Sequence, residues 1–217
     1  ACVSYPGYDN NRLANTMDSE YYNKLVTDSS RPFYNNATQE KTAPGSTFKP
    51  LSAMAGLCEG VISTSLSDTI MCTGVYTKVS NHPKCWILTQ NGGSHGSENV
   101  IDAIMDSCNC YFYEVGFRLG STGNGLSNEI GLEKLANYAT MFGLGDKSGL
   151  ETEESEPQIS DETIVPSAIG QGSHNYTVSQ LARYVTTIAN SGTCYNLSLL
   201  NKMTDSKGNL VEEYGST

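Results

Sequence analysis

The sequence predicts a helix-rich α/β (α+β) fold with few strands, and three observations carry that expectation. Apolar residues recur at helical spacing in several separate segments between Phe48 and Ile188. Alternating, turn-bounded stretches are few and lie near the two ends. With 217 residues at 38% hydrophobic content, the chain can bury a core of its own.

In order, Ala1-Val3 followed by Tyr5-Pro6-Gly7-Tyr8 reads as a strand running into a turn. Residues 9–41 are polar with isolated aromatics such as Tyr21, Phe33 and Tyr34, a pattern of loops and short helical turns. A helix is predicted from Ser46 to about Glu59, because Phe48, Leu51, Ala55 and Cys58 share helical spacing and Gly60 stands at its stop. Pro50 has no N–H and disfavours a helical Lys49, so this helix must start close to Ser46 for the proline to fall in its first turn. Cys72 and Cys85 then bracket a turn-rich stretch that reads as a hairpin, and Gly92-Gly93-Ser94-His95-Gly96 reads as a flexible loop. A helix follows Asn99 with Val100, Ile101, Ile104 and Met105 as its apolar face, and another begins near Tyr111 with Phe112, Val115 and Leu119. Leu132, Leu135, Tyr138, Ala139 and Phe142 make a third, stopped by Gly143. Thr177 opens the clearest helix, with Gln180 completing a capping box ahead of Leu181, Val185 and Ile188, and Asn190-Ser191-Gly192 closing it. The segments 199–204 and 209–211, joined by Asp205-Ser206-Lys207-Gly208, read as a β-hairpin.

A net charge of −10 argues against nucleic acid and against an anionic membrane surface as partners. Part of the acidity is local: Glu151, Glu153, Glu154 and Glu156 crowd one segment, read as a solvated loop. No apolar run reaches the ~20 residues of a membrane span. No initiator Met and no signal-peptide pattern stands at the start, so the chain reads as a piece of something longer. Of the seven cysteines, Cys72 and Cys85 could form a disulfide, which would suit an oxidising compartment; two reduced thiols are the open alternative. Such a bridge would contribute ~3 kcal/mol on the chain-entropy model. The cysteine spacings do not resemble a zinc site and the three histidines are scattered, so no metal and no cofactor are expected.

Chemistry concentrates in Pro44-Gly45-Ser46-Thr47-Phe48-Lys49. Residues three apart share a helix face, so the Lys49 amine, once neutral, can take the proton of the Ser46 hydroxyl. No other serine has a lysine three positions downstream. Acyl transfer at this pair needs a proton relay to the leaving amine, a polar side chain for the substrate peptide and an oxyanion hole. A Ser-x-Asn tripeptide can supply the first two, and the chain has three: Ser97-Glu98-Asn99, Ser107-Cys108-Asn109 and Ser173-His174-Asn175. Ser107 and Asn109 are chosen because their tripeptide lies between two apolar helical segments, where polar groups must find partners or face a cavity.

In this order, Pro44–Lys49, His95-Gly96, Ser107-Cys108-Asn109 with Tyr111-Phe112, Gly170-Gln171-Gly172 and the Thr177 helix resemble a penicillin-binding protein. The opening Val3-Ser4-Tyr5-Pro6-Gly7-Tyr8-Asp9 resembles class B, monofunctional members, the elongation type among them; whether a member serves elongation or division lies in partner surfaces. The resemblance implies the penicillin-binding protein/serine β-lactamase-like transpeptidase fold, with residues 1–217 as a partial transpeptidase domain. A membrane anchor, a dimerisation-type domain and C-terminal sheet strands would lie outside this chain. It implies Ser46 as nucleophile, Lys49 as base, Ser107 as proton relay, Asn109 as substrate ligand and the Ser46 backbone N–H as half of the oxyanion hole. The implied activity is that of a D,D-transpeptidase which crosslinks peptidoglycan stem peptides ending in D-Ala-D-Ala and is acylated by β-lactams. It would act on the extracytoplasmic face of the bacterial membrane beside a glycosyltransferase partner. The family's third motif, Lys-Thr-Gly on a strand, has only the loose match Lys147-Ser148-Gly149, which is set aside because its surroundings do not alternate like a strand. The chain alone is therefore expected to acylate weakly. A class D-like β-lactamase, a D,D-carboxypeptidase, a β-lactam sensor domain and a non-catalytic scaffold are the alternatives.

Overall fold

Helices carry most of the regular structure in the computed structural model, which describes residues 2–14 and 16–214. They are α1 (Ser19–Thr27), α2 (Lys49–Cys58), α3 (Trp86–Asn91), α4 (Val100–Met105), α5 (Asn109–Leu119), α6 (Asn128–Met141), α7 (Ile164–Ser167) and α8 (Val178–Ala189). The chain divides into two compact units, one of Thr42–Gly145 with Gln158–Asn175, the other of Ala1–Lys41, Asp146–Pro157 and Tyr176–Thr217.

In the first of these units α5 is the central post, packed by α2, α6 and α7. Its sequence explains the position: Cys110, Tyr111, Phe112, Tyr113, Val115 and Leu119 are all buried, so the helix is apolar nearly all round. Gly116 lets α7 approach, because a Cβ there would stand 2.8 Å from that of Ala168 and 2.9 Å from the Ile164 carbonyl oxygen. The buried Glu114 is fully engaged: its carboxylate accepts from Tyr76 Oη at 2.8 Å, Lys78 Nζ at 2.7 Å and Arg118 Nε at 2.9 Å. This network ties the 73–84 loop to α5, since charge burial is tolerable only with such partners. The loop leaves the strand Ile70–Cys72, which pairs antiparallel with Gly96–Glu98 so that Cys72 faces Gly96.

The other unit is organised around Glu154 rather than a strand. Ser148 gives Glu154 Oε2 both its N–H, at 2.8 Å, and its hydroxyl, at 2.9 Å, while Thr177 and Ser179 hydroxyls reach Oε1 at 3.2 and 2.7 Å. Four donors offset the desolvation of a carboxylate that was expected to be solvated. The Thr177–Gln180 capping box at the start of α8 is present as predicted. The strands Lys202–Thr204 and Leu210–Glu213 form the expected terminal hairpin.

Some expectations differ. Ala1 lies outside the described residues, and Cys2–Ser4 form no strand. The helix α3 was not foreseen, because Trp86–Asn91 spans too few residues to show a period. In α4 the buried stripe is Val100 and Ala103, leaving Ile101, Ile104 and Met105 exposed, because apolar residues surround this short helix and periodicity does not select a face. In α8 the buried side is Gln180, Tyr184 and Thr187, with Val178, Val185 and Ile188 exposed.

Candidate active site

The turn that carries Ser46 is 3₁₀ over Gly45–Phe48, passing into α2 at Lys49. Pro50 therefore sits in the first α-helical turn, where its missing N–H costs no hydrogen bond. Gly170 anchors this entry. The Gly45 N–H donates to the Gly170 carbonyl at 3.0 Å, and the Ser52 hydroxyl donates to the Ala168 carbonyl at 2.7 Å. Gly170 has φ +73°, and a Cβ there would fall 2.1 Å from the Gly45 carbonyl oxygen. The Gly170-Gln171-Gly172 stretch thus seats the Ser46 turn, and only glycine permits the approach.

Ser46 is exposed, and Lys49 is buried at 2% exposure. The Lys49 ammonium directs its three donors to the Ser107 carbonyl at 2.6 Å, the Ser107 hydroxyl at 2.9 Å and Asn109 Oδ1 at 2.7 Å. The predicted trio of Lys49, Ser107 and Asn109 is therefore assembled. The predicted Ser46–Lys49 hydrogen bond is not formed among the described residues: the amine is turned toward the Ser-x-Asn loop, where carbonyl, hydroxyl and amide oxygens together outweigh one serine hydroxyl. Lys49 has no carboxylate partner among the described residues, and burial lowers its pKa from 10.5 to about 8.

The Ser107–Asn109 tripeptide is itself held tightly. Ser107 takes φ +51°, uncommon for a residue with a Cβ. The Asn109 N–H donates to Cys85 Sγ at 3.3 Å, and Trp86 Nε1 donates to both the Asp106 and Ser107 carbonyls at 3.1 Å. Asn109 begins α5 and so inherits the rigidity of that buried helix.

Cys72 and Cys85 are not bonded; both are buried free thiols. Their Sγ atoms each lie 3.6 Å from His95 Nδ1. With Cys108 they form a set of four ligand atoms all within 4.8 Å of one another, a group that could hold a metal ion where the sequence reading expected none. A tetrahedral zinc site with Zn–S near 2.3 Å has ligand–ligand edges of roughly 3.7 Å, and the two sulfur–nitrogen edges at His95 are 3.6 Å. Three thiolates and one imidazole are a donor set for a closed, structural site. The neighbouring Cys108 and Cys110 thiols lower the Cys85 pKa, and Cys85 in turn raises theirs. Linear spacing hid this set because the pairing of 70–72 with 96–98 brings Cys72 toward His95. The readable signal was density: four of the seven cysteines fall between positions 72 and 110.

Of the other motifs, Ser97-Glu98-Asn99 is a helix entry, with Asn99 Oδ1 accepting from the N–H groups of Ile101 and Asp102. Ser173 bonds Asp161. Lys147-Ser148-Gly149 lies in no strand; Ser148 is buried on Glu154 and Lys147 pairs with Glu156 at 2.8 Å.

A family model described as the penicillin binding protein transpeptidase domain matches residues 1–214. The peptidoglycan D,D-transpeptidase MrdA of Haemophilus influenzae is 31% identical over 99% of this chain and 32% of its own length, so the chain spans about a third of that relative. Penicillin-binding protein A from M. tuberculosis, solved as a ceftriaxone acyl-enzyme complex, superposes with a TM-score of 0.80 at 21% identity, over 100% of this chain and 48% of that one. PBP2 from Helicobacter pylori, solved in complex with MreC, gives 0.71 at 24% identity, over 87% and 35% respectively. These two likenesses speak to the fold, and the family model over residues 1–214 fixes the membership: the chain belongs to the penicillin-binding protein transpeptidase domain family.

Proposed function

We propose that the chain carries the acylation centre of an elongation-type peptidoglycan D,D-transpeptidase. The observation that supports this most is a buried amine without a carboxylate partner, bonded to the Ser107 hydroxyl and Asn109 amide, three residues from an exposed serine at a helix start. Ser46 Oγ attacks the penultimate D-alanine carbonyl of a stem peptide as Lys49 takes its proton. The Ser46 oxygen–carbon bond forms, the peptide C–N bond breaks, and Ser107 passes the proton to the departing D-alanine amine. Asn109 hydrogen bonds the donor peptide. The Ser46 N–H, one of the first-turn donors without a helical acceptor, supplies half of the oxyanion hole. An acceptor stem amine then displaces Ser46 from the ester, and a β-lactam acylates Ser46 by the same attack.

Cys72, Cys85, His95 and Cys108 could hold a zinc ion, which when bound would pin the loop that carries Ser107 and Asn109. The Lys-Thr-Gly strand, a membrane anchor and the surfaces for a glycosyltransferase and an MreC-type partner belong to the intact gene product, working on the extracytoplasmic face. No helix of the described residues is long and apolar enough to cross a membrane. The test is covalent labelling of the intact gene product with a fluorescent penicillin. Labelling must vanish in Ser46→Ala, and its persistence there overturns the assignment. Rapid turnover of a chromogenic cephalosporin would instead favour a β-lactamase.

A further inference from the structure

We infer that Trp86 is a positioning residue for acylation: its indole N–H fixes the Ser107 backbone so that the Ser107 hydroxyl and the Lys49 amine stay aligned. The inference rests on the roles proposed above for Ser46, Lys49 and Ser107. Ser107 holds a left-handed backbone that a residue with a Cβ adopts only when its surroundings impose it. The imposing contacts converge on one dipeptide. Cys85 Sγ accepts the Asn109 N–H at 3.3 Å, and Trp86 Nε1 donates to the Asp106 and Ser107 carbonyls, each at 3.1 Å. Both ends of the Ser107-Cys108-Asn109 tripeptide are thereby clamped from Cys85-Trp86.

Donor counting gives Trp86 a role that packing alone would not require. As an ammonium, Lys49 has three N–H donors for three acceptors: the Ser107 carbonyl, the Ser107 hydroxyl and Asn109 Oδ1. As a base it has two donors and a lone pair, so one of those three oxygens can no longer accept from it. The Ser107 carbonyl is the one with a second donor, the indole N–H, which does not titrate. Trp86 therefore lets Lys49 turn its lone pair to a serine hydroxyl without leaving a part-buried carbonyl unpaired and without releasing the strained Ser107 backbone.

The test replaces Trp86 in the intact gene product with phenylalanine and, separately, with β-(benzothienyl)alanine, which keeps the bicyclic shape and lacks the N–H. Stopped-flow acylation by a chromogenic cephalosporin separates the dissociation constant of the encounter complex from the acylation rate constant. The expected result is a fall in the acylation rate constant of roughly 10- to 100-fold in both variants. The dissociation constant should stay within about twofold, and Tm for the benzothienyl protein within about 3 °C of the parent. An unchanged acylation rate in the benzothienyl protein overturns the inference. So does a parallel loss of binding, Tm and acylation, which marks a purely structural side chain. If Trp86→Phe impairs folding, the benzothienyl protein decides alone. Ser46→Ala serves as control: residual labelling of that variant refutes the proposed function itself, whereas a silent Ser46→Ala beside a fully active benzothienyl protein refutes only the role of Trp86.

Discussion

The buried amine of Lys49 makes a demand on the pH dependence of acylation. Burial lowers its pKa from 10.5 to about 8. At pH 7.4 the neutral, basic form is then roughly one molecule in five rather than about one in a thousand, a gain of some 200-fold in competent enzyme. The acylation rate constant of the intact gene product should climb about tenfold per pH unit below 8 and level off above it. Stopped-flow measurements from pH 6 to 10 will show this, with Tm recorded at each point. Stability must follow the same group. Because the folded-state pKa is depressed, the unfolded chain binds the extra proton between about 8 and 10.5, so folding stability rises with pH through that window. A shift of this size is worth about 3 kcal/mol. Lys49→Met should abolish acylation and flatten that rise relative to the parent. A pH-independent acylation rate, or a stability difference between parent and Lys49→Met that does not change from pH 8 to 10.5, refutes the argument.

Three further outcomes are expected. The intact gene product purified without chelator should carry about one zinc per chain by elemental analysis, and Cys85→Ser or Cys108→Ser should lower both zinc content and acylation; a metal-free protein with full acylation rules the pin out. Gly170→Ala should cost ~2–4 kcal/mol in chemical denaturation and slow acylation at least tenfold, since its Cβ meets the Gly45 carbonyl beside Ser46. Burial first, and Asp106 second, raise the Glu98 carboxyl to about 7. An acid raised in this way favours the folded state while protonated, so stability is lost as pH climbs from about 4.5 through 7. Glu98→Gln should therefore raise Tm at pH 8 and leave it nearly unchanged at pH 4.5; equal effects at both pH values would show that Glu98 does not titrate as argued.

The sequence by itself determined the helical scaffold and named the candidate reacting groups. Ser46 with Lys49, and the choice of Ser107 and Asn109 over two other Ser-x-Asn matches, rest on local spacing and flanking apolarity. Lys49, Ser107 and Asn109 meet because α2 and α5 are packed directly against each other. The capping box at Thr177 was equally legible, being a contact between residues three apart. Only the tertiary structure decided the rest, because it depends on pairings distant in sequence. The 70–72 strand pairs with 96–98, which makes Cys72, Cys85, His95 and Cys108 one ligand set instead of a disulfide and two bystanders. Glu154, read as solvated, is buried because Ser148, Thr177 and Ser179 supply donors from both sides of it in sequence. Lys49 turns to the Ser107 loop rather than to Ser46 for a similar reason: three oxygens gathered 58 to 60 positions away outweigh one hydroxyl in the adjoining turn. Local spacing names the groups that can react; long-range packing sets which of them meet, and in what protonation state.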